Sequence, residues 1–144
     1  MSKPNNIGFS LNRVTTEQFA TIEENLTDNQ SFGLEINLRF GVNKDQKLIA
    51  SFSNFSFDNN GKTFLIIEAG CHFEIKEEAW NEMVNDSADT LVAPQGFMAH
   101  LTMLTIGTTR GILHAKTEGT EFNRYLIPTV NVMELIQEDV TLMI

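Results

Sequence analysis

The sequence predicts an α+β chain in which a run of antiparallel strands precedes a long helix held between subunits. Three observations carry this. Residues 32–42 alternate apolar and polar without a break, and an Asn-Gly turn separates two further apolar segments. Thr90–Thr109 then runs for twenty residues with no Asp, Glu, Lys or Arg. A helix that is neutral all round is a helix removed from water.

At the N-terminus Ile7, Phe9 and Leu11 alternate as in a strand, whereas Phe19, Ile22 and Leu26 keep helical spacing. The expectation is a strand followed by an irregular connection. Phe32, Leu34, Ile36, Leu38, Phe40 and Val42 give the clearest strand, with the period of two that a half-buried sheet face requires. After a polar turn, Lys47–Phe57 returns as a second strand. Its apolar phase shifts between Ala50/Phe52 and Phe55/Phe57, which predicts a bulge. Asp58-Asn59-Asn60-Gly61 suits a tight hairpin, and Lys62–Ile75 follows as a third strand whose apolar core, Phe64-Leu65-Ile66-Ile67, implies cover on both faces.

Glu77–Val84 is a short helix with Ala79, Trp80, Met83 and Val84 on one side. Pro94 suits the first turn of a longer one, where its missing N–H is harmless. Phe97, Leu101, Leu104 and Thr108 form one stripe of that helix, and Met98, Thr102 and Thr105 another. Arg110-Gly111 reads as its stop. Thr117–Arg124 is loop-like, and Asn131 with Glu134 can cap a last short helix through Met133, Leu135 and Ile136.

The 144 residues suit a single domain, 1–144. Nineteen acids against ten bases leave a net charge of -9, which repels polyanions and argues against nucleic acid as a partner. A single cysteine excludes an intrachain disulfide. Met1–Gly8 has no apolar signal-peptide core, and the uncharged stretch contains Pro94, Gln95, His100 and five threonines, so the expectation is a cytoplasmic protein without membrane insertion.

Catalytic signatures are sparse. His72, His100 and His114 lack metal-ligand spacing, and Cys71 and His72, adjacent on a strand, point to opposite faces. Neither GxGxxG nor GxxxxGK[ST] occurs. No catalytic residue, metal or cofactor is expected. A hotdog-fold acyl-thioester enzyme shares the element set, but Pro94–Ala115 holds no Asp or Glu to serve as its base, leaving His100 as the candidate.

Five segments then follow in order: Phe9-Ser10-Leu11-Asn12-Arg13-Val14; Leu34-Glu35-Ile36-Asn37-Leu38; Thr63-Phe64-Leu65 with Ala69-Gly70-Cys71-His72-Phe73-Glu74-Ile75; Thr109-Arg110-Gly111; and Leu126-Ile127-Pro128-Thr129-Val130-Asn131-Val132. Together they resemble the SecB-type protein-export chaperones and their SecB-like relatives. The resemblance runs from about Phe9 to Leu135. It implies a four-stranded antiparallel sheet with a long helix and a short C-terminal helix, packed as a dimer of dimers, a homotetramer. It further implies an ATP-independent holdase that takes unfolded or precursor polypeptides into hydrophobic grooves and delivers them to the secretion ATPase.

On that resemblance Leu34, Ile36, Leu38 and Phe64 are candidates for the client groove, and Phe97, Leu101, Leu104 and Gly107 for the oligomer interface. Leu34, Ile36 and Leu38 could equally face the core. Two departures concern the ATPase. The family's acidic third-strand position falls on Ile66 or Ile67, and the chain stops at Ile144 without the family's extended tail. A chaperone dedicated to one client, such as a toxin–antitoxin pair, is the related alternative.

Overall fold

The computed structural model describes residues 7–27 and 31–144. β1 (Phe9–Thr21), β2 (Gly33–Asn43), β3 (Leu48–Asn59) and β4 (Lys62–Ile75) form a four-stranded antiparallel sheet in the order β1-β4-β3-β2. β2, β3 and β4 are a meander, and β1 closes a Greek-key arrangement by docking beside β4. The rest of the chain supplies α1 (Glu77–Met83), β5 (Val84–Asn85), β6 (Thr90–Ala93), α2 (Gln95–Thr117), α3 (Val132–Leu135) and β7 (Val140–Met143). β5, β6 and β7 make a second, three-stranded sheet. The architecture is α+β.

The β3–β4 hairpin turns where the sequence predicts. Asn60 and Gly61 take positive φ of 52° and 82°, and the Gly61 N–H donates to Asp58 Oδ2 at 2.8 Å. Successive positive φ values match the twist of the flanking strands. β1 runs further than its alternation indicates, because register shifts at Leu11/Arg13 and Thr16/Gln18 change its apolar phase twice and bring Phe19 opposite Ile67. A single 3-10 turn at Glu23–Asn25 follows it.

The bulge expected within Lys47–Phe57 is absent. β2 and β3 pair without interruption from Gly33↔Asp58 to Asn43↔Leu48, and β3 shifts against β4 only at Phe57/Asp58. The apolar phase changes because both sheet faces are covered at that point. Ile49, Ser51, Ser53, Phe55 and Phe57 lie fully buried on the face toward α2, and Phe52 is buried on the opposite, outer face. There the Phe52 ring occupies the space above Gly70, and the Arg39 guanidinium stacks on it with Cζ 3.8 Å from the ring centroid. Arg39 also donates to Glu68 from Nε (3.3 Å) and Nη2 (3.5 Å) and approaches Glu17 at 3.7 Å.

α2 lies over β3 and β4. Its underside buries Phe97, Met98, Leu101, Ile106 and Leu113, with Thr102, Thr105 and Thr109 at the centre. These threonines enter the core satisfied, each donating at 2.8 Å to the carbonyl four residues earlier. Thr109 also meets Ser53, Oγ1 to Oγ 2.7 Å. Ser51 Oγ, buried beside Cys71, has no partner among the described residues.

Three expectations for this half of the chain are corrected. Arg110-Gly111 does not stop the helix, which continues to Thr117; Gly119, at φ 80°, lies just beyond its end. The neutral stretch is not all helix, since Thr90–Ala93 is the strand β6, paired with β5 and β7. Within the single chain one face of α2 is open. The last helix is one turn, and Asn131 caps it without a side-chain hydrogen bond.

Candidate functional site

The apolar surfaces flank α2. On one side is the edge strand β2, whose Leu34, Ile36, Leu38, Phe40 and Val42 share the α2-facing side of the sheet with Phe57, Phe55, Ser53, Ser51 and Ile49. All five are half-buried and packed against the core. Their cover comes from the C-terminal part of the chain, where Val130, Val140 and Leu142 also pack on the core and β7 lies against β2.

The segment after α2 is fixed where two of the family-like motifs meet. Arg110 donates from Nε to the Ile127 carbonyl and from Nη2 to the Pro128 carbonyl, both at 2.8 Å. Such charge-assisted bonds hold an irregular strand of backbone against the helix. Asp139 Oδ1 accepts from the Gln95 N–H at the start of α2 (2.8 Å), and Gln95 Nε2 donates to the Ile136 carbonyl (2.8 Å).

On the other side of α2 is β1, and here cover is missing. Phe9 packs edge-on against Phe97 and His100, and Lys116 sits 5.5 Å from the Phe19 ring, so both ends of the strand reach the helix. Between those ends Leu11 and Val14 fall opposite Phe73 and Cys71 on the same sheet face, yet remain 54% and 43% exposed. The open face of α2 adds Met103 (58%), Leu104 (41%), Gly107 and Gly111. Covering such side chains returns on the order of 1 kcal/mol or more apiece.

Leu34, Ile36 and Leu38 therefore line the sheet beside α2, partly covered by the chain itself. Phe64 is not available to a groove, because it is fully buried in an aromatic cluster, 4.7 Å from Tyr125 and 6.3 Å from Phe57 between ring centroids. Phe97 and Leu101 are likewise core residues of the single chain, at 4% and 0% exposure, and do not face outward. Leu104 and Gly107 do lie on the open face. Sequence reading missed Leu11, Val14 and Met103. The doubled register shift in β1 hid the first two, and Met103 lies outside both stripes traced on α2, on the opposite side of the helix.

The polar chemistry lies elsewhere. An open cleft of about 860 Å³ on the far side of β4 mixes Arg13, Lys47 and Lys76 with Asp45, Glu74 and Glu77. His72 lines it, 3.4 Å from Thr15 Oγ1, and partial burial, seconded by the Arg13 charge and opposed by Glu17, lowers its pKa below 6.5. Cys71 is buried on the opposite face from His72. Among the described residues no group of three or more His, Cys, Asp or Glu could hold a metal ion, and no helix is long and apolar enough to cross a membrane. His100 is exposed on α2 with the Phe9 ring beside it.

The fold thus defines an α+β architecture, a Greek-key sheet backed by one long helix with uncovered apolar surface beside it. No protein-family model matches the chain, and no curated protein matches it.

Proposed function

We propose that this chain is a SecB-like, ATP-independent holdase that binds non-native polypeptide along the apolar surfaces flanking α2. One observation carries the reading: beside α2 the edge strand β2 aligns Leu34, Ile36, Leu38, Phe40 and Val42 in one apolar row that the chain itself covers only in part. Surfaces of this kind mark sites of interaction with polypeptide. Recognition would combine burial of alternate client side chains with main-chain hydrogen bonds to a free sheet edge, and the negative surface would favour cationic segments.

In this proposal the subunits form a dimer of dimers, with the open face of α2 directed toward a neighbouring subunit and the β2 side left for clients. The test is suppression of aggregation of a chemically unfolded client in the absence of nucleotide. Near-stoichiometric protection is expected; no protection by the intact oligomer would sink the idea. Delivery to the secretion ATPase is one destination for the client. A chaperone devoted to a single client is favoured by the apolar pair Ile66 and Ile67, on one or the other of which the acidic third-strand position of the resembled family falls. Affinity capture from the native cell extract separates the two, since a general holdase returns many clients and a dedicated one returns a single partner.

A further inference from the structure

We infer that β7 is a built-in stand-in for client, an own-chain strand that occupies the place an extended apolar polypeptide takes. The inference rests on the holdase reading and specifies where such a polypeptide binds. β7 pairs antiparallel with β6 over four residues, Thr90↔Met143, Leu91↔Leu142, Val92↔Thr141 and Ala93↔Val140. Its inward side chains, Val140 and Leu142, pack on the core while Thr141 and Met143 face out, so it presents the alternating pattern of a bound extended peptide.

Three features make it displaceable. β7 is an edge strand whose ladder, among the described residues, is with the four-residue β6, lengthened by one bond from the Ile144 N–H to the Asp89 carbonyl (3.0 Å). Val140 and Leu142 are half-buried, whereas the β6 residues paired with them, Ala93 and Leu91, are fully buried. Upstream the segment is tied at Ile136, 5% exposed, and through Asp139 to the Gln95 N–H, so that the strand beyond these ties can leave without unfolding what precedes it. Short edge segments with little buried apolar area open at low free energy.

Departure of β7 frees the β6 edge, with its unpaired N–H and C=O groups, and uncovers the neighbouring β2 row. The incoming partner is therefore an extended segment with apolar side chains at alternate positions. It pairs with Thr90–Ala93, fills the places of Val140 and Leu142, and continues along Leu34, Ile36 and Leu38. Main-chain pairing supplies affinity for many sequences, and the two inward positions set the preference.

The experiment is a reversible lock. Val92 and Thr141 are directly opposed and both exposed, so the full-length Val92→Cys/Thr141→Cys variant can close a disulfide across the β6–β7 pair. Capture of an unfolded client is measured on oxidised and reduced samples of the same preparation. The oxidised form is expected to bind at least tenfold more weakly, with binding restored on reduction. Equal capture by the two forms overturns the inference and leaves the holdase reading intact; capture by neither the variant nor the unaltered protein sinks the holdase reading itself. A second variant, Leu142→Ser, loosens the strand without a cross-link and is expected to bind client several-fold more tightly, whereas unchanged or weaker binding counts against displacement.

Discussion

Phe52 and Gly70 form a pair in which each explains the other. A Cβ on residue 70 would lie 2.5 Å from the Phe52 ring and 3.0 Å from Thr15 Oγ1, so only glycine lets the ring lie flat on β4, where Arg39 then stacks. Gly70→Ala is expected to destabilise the fold by roughly 1–3 kcal/mol, the usual result of overpacking, as measured by denaturant unfolding. A change within a few tenths would mean that the ring swings aside freely. His72, on the same face, permits a pH test. Burial first and Arg13 second lower its pKa below 6.5, so the folded chain binds that proton less readily than the unfolded chain. Its contribution to stability is therefore present above pH 6.5 and is lost as the pH falls through the unfolded and then the folded value. Arg13→Gln should move the imidazole titration, followed by NMR, to higher pH, and Glu17→Gln to lower pH. An unmoved midpoint in both variants would show that neither charge acts on the ring.

Strands were legible where the apolar period was regular and obscure where it was broken by cover on the second face. β2 and β4 stand out because their side chains meet one consistent environment each. The phase change in β3 has the form of a bulge on paper; in the folded chain it reflects Phe52 filling the gap over Gly70. The small sheet was illegible for another reason: β6 and β7 have only four residues each and lie 47 positions apart between Ala93 and Val140, so no local pattern announces their pairing. Gly111 misled as a stop because glycine terminates a helix only where positive φ is needed, and that need arises at Gly119. Gly107 and Gly111 have nothing within 4 Å of an added Cβ. Gly111→Ala should therefore raise stability by about 0.5–1 kcal/mol through helix propensity alone. A loss instead, accompanied by a fall in solution mass, would place another helix against that point.

At the scale of the whole molecule, the exposed Leu11 and Val14 on β1 and Met103 and Leu104 on α2 run against the solubility that a charge of -9 otherwise confers. The proposed dimer of dimers predicts a mass in sedimentation equilibrium four times that of the 16.2 kDa chain. Leu104→Glu, which puts a charge on the open face, should lower that mass without altering the secondary structure of the subunit. A chain that is monomeric throughout would remove the proposed role of α2 in assembly. The strand order carries a separate consequence, for the route by which the protein folds. β2, β3 and β4 can pair through two short connections as soon as they have been synthesised, whereas β1, made first, must wait for β4, with Phe9 meeting Ile75. Closing so long a loop is slow relative to hairpin formation. On the ribosome, the opening strand of a protein read as a guardian of unfolded chains is thus itself unpaired until the residues of β4 have emerged.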